Sequence, residues 1–147
     1  MSTNPGLRRR QWLQGAGALA VGIVPAARAD MALALAVQSF PEVITALGGM
    51  PRASALITLD LPLVAENGAL VPVMVSSALP GTREILILVD GNPQPVAVRF
   101  DFPEGTEAFV ATRIRLAQSA TVHAVARTDD GLYATARATQ VTVGGCG

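Results

Sequence analysis

One cysteine occurs in the 147 residues, Cys146, next to last in the closing run "QVTVGGCG" (140–147). It stands between Gly144-Gly145 and Gly147. A thiolate attacks sulfur readily, and the products it forms, disulfides and persulfides among them, are stable enough to be held and passed on. Glycine has the widest backbone freedom and no side chain to anchor it. Four extended residues reach roughly 13–14 Å. A nucleophilic enzyme instead holds its nucleophile in tight geometry against a base and an oxyanion site. This spacing therefore suits a thiol that is presented to other proteins, with a covalently bound group on its sulfur, more than one that catalyses. One Cys and one His are also too few for a thiolate or imidazole metal cluster, so neither a metal nor a cofactor is expected.

The remaining polar candidates read more plainly. The single histidine, His123, lies mid-strand in "TVHAVA", where it reads as an ordinary strand residue rather than a partner of the thiol. Asp129-Asp130-Gly131 reads as a hairpin turn before it reads as a calcium site. Arg113 and Arg115 alternate along one strand face; a solvated face is the first reading, and contact with an anion or a partner the second. "ENG" (66–68) is a turn, and not a glycosylation acceptor, because Asn67 is followed by Gly-Ala.

The first residues are set aside from fold reasoning. In "LRRRQWLQGAGALAVGIVPAARAD", Arg8, Arg9 and Arg10 form a basic region, Gly15 to Val24 an apolar stretch, and Ala27-Arg28-Ala29 a cleavage site. The apolar stretch is too short to span a bilayer, which takes about 20 such residues. Arg9-Arg10-Gln11-Trp12-Leu13 fits the twin-arginine export pattern. The expected division is a signal peptide over 1–29, one domain over 30–143 and an arm over 144–147, with the mature protein in the periplasm. Lysine is absent, and cleavage after Ala29 leaves seven Arg against eleven acids, a net charge of −4. A mildly acidic exported domain is a poor ligand for nucleic acid or anionic membranes. Exported proteins use cysteines in pairs, so a lone thiol points to an intermolecular bond or a reactive group.

Half of the residues are hydrophobic and 4% aromatic, so the core must be built from Val, Leu, Ile and Ala. Residues 30–47 read as helical, with Pro41 breaking them into a helix over Met31–Ser39 and a turn or two over Glu42–Leu47. Val43 and Leu47 are expected to face the domain, as is the Leu33/Val37 pair, and Gly48-Gly49 to stop the helix. Strands follow over 55–62, 69–77, 84–91, 96–102, 107–116, 121–131 and 132–143. Asn67-Gly68 favours positive φ at the first turn, and Pro72 argues for an edge strand or a bulge there. The unbroken apolar run "EILILVDG" argues for a central strand covered on both faces. Seven short strands without intervening helices predict an all-β fold, an antiparallel β-sandwich of immunoglobulin type with a short N-terminal helical segment. The Cys…Trp…Cys core of antibody domains is missing, since the only Trp, Trp12, lies in the leader.

Taken together, "VTVGGCG", "AENGALVPVMV" (65–75), "TRIRLAQSATVHAVARTDDG" (112–131) and the twin-arginine leader resemble the SoxY family, the sulfur carriers of the periplasmic thiosulfate-oxidising system. The resemblance runs over nearly the whole mature chain. Its most specific element is the terminal Gly-Gly-Cys-Gly; the family carries two glycines after the cysteine and this chain one. The resemblance implies a non-enzymatic carrier that bonds thiosulfate-derived sulfur on Cys146, with Gly144, Gly145 and Gly147 forming the arm. It implies a heterodimer with a SoxZ-like subunit. It also implies service to a c-type cytochrome, a sulfate-releasing hydrolase and a sulfane dehydrogenase. The competing expectation is a non-catalytic immunoglobulin-like interaction module whose cysteine only forms intermolecular disulfides, including a homodimer.

Overall fold

The computed structural model describes residues 39–142. The expected leader, the helical stretch before Ser39 with Leu33 and Val37, and the arm with Cys146 lie outside the described residues.

One helix, α1 (Phe40–Ala46), opens the described chain. Its N-cap, Ser39, is extended, and the Glu42 carboxylate accepts the Ser39 backbone N–H at 3.2 Å. That closes one half of a capping box. Pro41 was expected to break or kink the run over 30–47, whose part before Ser39 lies outside the described residues; it sits in the first turn of α1, where its missing N–H has no intrahelical partner to lose. The stop is a Schellman pair: Gly48 (φ +103°) and Gly49 donate to the carbonyls of Thr45 and Ile44, both at 3.0 Å.

Nine strands follow: β1 (Arg52–Ala53), β2 (Ile57–Asp60), β3 (Val64–Ala65), β4 (Val71–Ser77), β5 (Glu84–Val89), β6 (Val96–Asp101), β7 (Phe109–Ile114), β8 (Ala120–Thr128) and β9 (Gly131–Val141). Seven are those read from the sequence. The two additions, β1 and β3, have two residues each, and both pair with β9 in parallel; every other pairing is antiparallel. The larger sheet runs β1-β9-β8-β5-β6 with β3 also on β9, and the smaller runs β2-β4-β7.

The core lies between the sheets. Ile57 and Leu59 of β2, Val71, Val73 and Val75 of β4, and Val110 and Ile114 of β7 meet Ile85, Ile87 and Val89 of β5 and Val122, Ala124 and Ala126 of β8. Each set is spaced by two residues, or by four in β7, as a strand with one buried face requires. β5 is the exception and is buried at all six positions. Its second face, Leu86 and Leu88, packs with Val125 under Val43 and Ile44 of α1 and its C-cap Leu47. The helix thus covers the outside of the larger sheet, which accounts for the unbroken apolar run in β5.

Pro72 lies on β4, the middle strand of the smaller sheet rather than an edge. The expectation fails globally and holds locally. β2 ends with Asp60 opposite Met74, so at Pro72 only β7 is a neighbour, through Arg113. β6 skips Ala97 between Val98 and Val96 against Ile87 and Leu88 of β5, a local β-bulge.

Candidate functional site

β9 is the element that carries the chain toward Cys146. It pairs with β8 along its length, from Thr128 opposite Gly131 to Ala120 opposite Thr139. The turn at its start is held by Thr128, whose hydroxyl donates to the Gly131 carbonyl and accepts the Asp130 N–H, both at 3.2 Å. Asp129 forms an exposed ion pair with Arg83 at 2.6 Å. The two aspartates therefore act as turn residues, and among the described residues no group of His, Cys, Asp or Glu could hold a metal ion.

The far end of β9 is clamped on both sides. β3 places Val64 opposite Gln140 and Ala65 opposite Val141. Gln140 donates to the Leu63 carbonyl at 2.9 Å and Thr142 to the Ala65 carbonyl at 3.0 Å. On the other side the Val141 N–H donates to the Ser119 hydroxyl at 2.9 Å. Thr139, buried, donates its hydroxyl to the Pro62 carbonyl at 3.1 Å. Thr142 is the last residue given such a bond among the described residues, and Cys146 follows four positions later.

Gly68 completes the clamp. Its carbonyl accepts the Leu116 N–H at 2.7 Å. A Cβ there would stand 2.5 Å from the Leu116 carbonyl oxygen and 2.9 Å from Cγ1 of Val141. The sequence pointed to positive φ at Asn67-Gly68, yet Gly68 is not among the glycines in the left-handed region. Asn67 makes the turn by accepting the Ala69 N–H on its side chain at 2.9 Å, and Gly68 is glycine because two segments approach it too closely for a side chain. Gly68→Ala is expected to destabilise the domain by about 1–3 kcal/mol, the usual range for overpacking. A lowered urea midpoint at constant slope would show it.

Asn92 ties the neighbouring loops at the same end. Its amide donates to the Arg115 carbonyl at 2.7 Å and accepts the Ala117 N–H at 2.9 Å. Beside the clamp runs an open groove of about 720 Å³ whose wall includes Leu63, Val64, Ser119, Thr121 and Gln140.

The other residues singled out by type fall elsewhere. His123 lies half-buried on the outer face of the larger sheet, its ring 4.6 Å from that of Phe40. Burial pushes its pKa down, against the opposing pull of Asp90. It is a packing residue between β8 and α1. Arg113 and Arg115 are exposed and, among the described residues, in no ion pair. Arg113 is on β7 and Arg115 lies one residue past its end, and they line separate hollows. Arg113 stands with Asp60 and Met74, and Arg115 with the turn at Asn92–Gln94. They do not form one anion site.

Sequence reasoning missed Glu84, a buried carboxylate at the start of β5. Arg99 lies 3.3 Å and Arg127 3.9 Å away. Burial pushes the Glu84 carboxyl up, and the two guanidiniums pull it back. Its register partner, Arg127, sits beside the β8–β9 turn, so the cluster marks the opposite end of the sandwich from the clamp. Also missed were Leu63, Val64 and Leu70, which are exposed around the clamp. For Leu63 and Val64 the only signal was an apolar "LPLV" (61–64) with no alternation, shortly before a turn.

Known proteins place this architecture. The described chain resembles the solved sulfur carrier protein SoxY from Chlorobium limicola f thiosulfatophilum, with 31% identity, a TM-score of 0.62, and coverage of 70% of this chain and 94% of that one. A superoxide reductase (neelaredoxin) from Ignicoccus hospitalis matches with a TM-score of 0.55 over 71% of this chain and 99% of that one; at 17% identity it shares the fold alone. Comparison with curated protein sequences gives no match. A family model for the sulfur oxidation protein SoxY matches residues 44–146, from within α1 through the β9 clamp to the terminal cysteine. Over that span, and with that structural likeness, the chain belongs to the SoxY family.

Proposed function

We propose that this protein is a periplasmic sulfur carrier, holding thiosulfate-derived sulfur on Cys146 and presenting it to the enzymes of thiosulfate oxidation. The observation that carries the reading is the placement of the one thiol. It lies five residues past the end of β9, which is hydrogen-bonded on both sides, in a chain whose family match reaches Cys146. Membership of a family with a solved sulfur carrier protein supports it.

The chemistry balances without a catalytic group on the carrier. The Cys146 thiol and thiosulfate join through a new S–S bond, losing one proton and two electrons to a c-type cytochrome. The product is a cysteine S-thiosulfonate. Water then attacks the sulfonate sulfur in a hydrolase, sulfate leaves, and a persulfide stays on Cys146 for a sulfane dehydrogenase or a further acceptor. Thiolate nucleophilicity and the stability of the sulfur adducts fit both steps. The sandwich supplies a rigid base, and the SoxZ-like subunit binds it as a heterodimer. Export by the twin-arginine route would carry the pair across already folded.

Intact-mass measurement after incubation with thiosulfate and the oxidising cytochrome tests the reading. A mass gain of one thiosulfate on the full chain, reversed by a thiol reductant, is expected, and no gain would defeat it. Deleting 144–147 separates a carrier from a module that merely docks by its tail. For a carrier, affinity for the SoxZ-like subunit stays within about twofold, because truncating a tail outside the contact surface leaves binding near neutral. A tail-docking module loses that affinity.

A further inference from the structure

We propose that the apolar side chains around the clamp, Leu63, Val64 and Leu70, form a docking collar for the enzymes that act on Cys146, each of which would offer an apolar rim around its cleft. The inference rests on the carrier reading.

Its argument begins with length. Thr142 is bonded to Ala65, and four residues beyond it the backbone can extend no more than roughly 14 Å. An enzyme that takes the sulfur several ångströms below its surface must therefore bring its mouth against the residues flanking Thr142. Leu63, Val64 and Leu70 are those residues, and they are 68%, 50% and 61% exposed. They come from two segments that both touch the end of β9. The Leu63 carbonyl accepts from Gln140, Val64 stands opposite Gln140, and Gly68, two residues before Leu70, lies against Val141. Single exposed leucines are ordinary on a surface, but several gathered around one point mark a contact.

The groove beside Leu63 and Val64 has Ser119, Thr121 and Gln140 in its wall, and Asp90 as its one charged side chain. An apolar collar beside hydrogen-bonding groups and the single carboxylate of Asp90 fits a partner rim that is apolar and not acidic. Leu56 is a fair comparator. It is 52% exposed, and its carbonyl accepts the Ala78 N–H past the other end of β4 from Leu70.

The test uses the full chain loaded with thiosulfate on Cys146 and the sulfate-releasing hydrolase. Leu63→Glu and Leu70→Glu are each expected to raise KM about tenfold, the effect of losing one contact worth about 1.4 kcal/mol, with kcat little changed. Leu56→Glu is expected to leave KM unchanged. In all three the rate of Cys146 with a small aromatic disulfide should match the unaltered chain, which shows that the thiol and the fold are intact. Equal KM values across the variants, or an equal rise in Leu56→Glu, would overturn the collar alone. So would an effect confined to self-association of this chain in sedimentation. If the unaltered chain takes up no thiosulfate, the carrier reading falls, and the collar with it.

Discussion

Replacing Cys146 with serine is expected to reduce carrier-dependent sulfate formation to the level measured with no carrier present. Serine keeps the size of the side chain and removes the chemistry. The first step needs an S–S bond, and a hydroxyl can neither form one nor leave as a thiolate. No other residue can substitute, because the chain has a single cysteine. The loss should come without loss of fold. Position 146 lies four residues past Thr142, the last residue held by a described backbone bond, so the unfolding free energy should stay within about 0.5 kcal/mol, as for a surface change. The measurement is twofold: intact mass with thiosulfate and the cytochrome, which should show no adduct, and sulfate release in the reconstituted system, which should be absent. Sulfate release by the serine variant at the unaltered rate would end the carrier reading.

The largest stability effect is expected at Leu88→Ala. Leu88 is fully buried on the helix-facing side of β5. Truncation removes three heavy atoms from a site closed by Val43, Ile44 and Leu47 above and by Leu86 and Val125 beside it. Such losses cost about 2–5 kcal/mol, the transfer term plus the cavity term. Domains of this kind are stable by only about 5–15 kcal/mol. A loss near 3 kcal/mol should therefore lower the melting temperature by about 12–24 °C, at roughly 4–8 °C per kcal/mol for a domain near this size. Met50→Ala, at a residue 82% exposed, should change it by no more than a degree or two. Pairing Leu88→Ala with Val43→Ala gives a sharper check. Both side chains line one pocket, so their costs should fall short of additivity. Strict additivity, or a loss no larger than at Met50, would mean that α1 does not close the outer face of the sheet.

These expectations show how unevenly the chain reveals itself. Side-chain alternation is a local property with a period of two, so seven strands were legible from residue order. So was the double burial of "EILILV", which shows no alternation because both of its faces are covered. The helix was legible in its stop at Gly48-Gly49, and its start was read two residues late, at Glu42 rather than Phe40, since a proline is welcome in a helix's first turn. Pro72 shows the same ambiguity: a strand can be central as a whole and have a free edge at one residue.

The chemistry proposed for this protein was legible in the sequence alone, because a thiol's identity and the glycines around it need no fold to be read. What the thiol is attached to was decided only by tertiary structure. The parallel pairing of β3 with β9, the Ser119 bond to Val141 and the approach of Leu116 and Val141 to Gly68 join segments distant along the chain. Two-residue strands carry no periodicity to read. The burial of Glu84 between two arginines and the gathering of Leu63, Val64 and Leu70 around the clamp were likewise out of reach. Exposure and proximity arise from how the sheets stack, and no local pattern of residues encodes them.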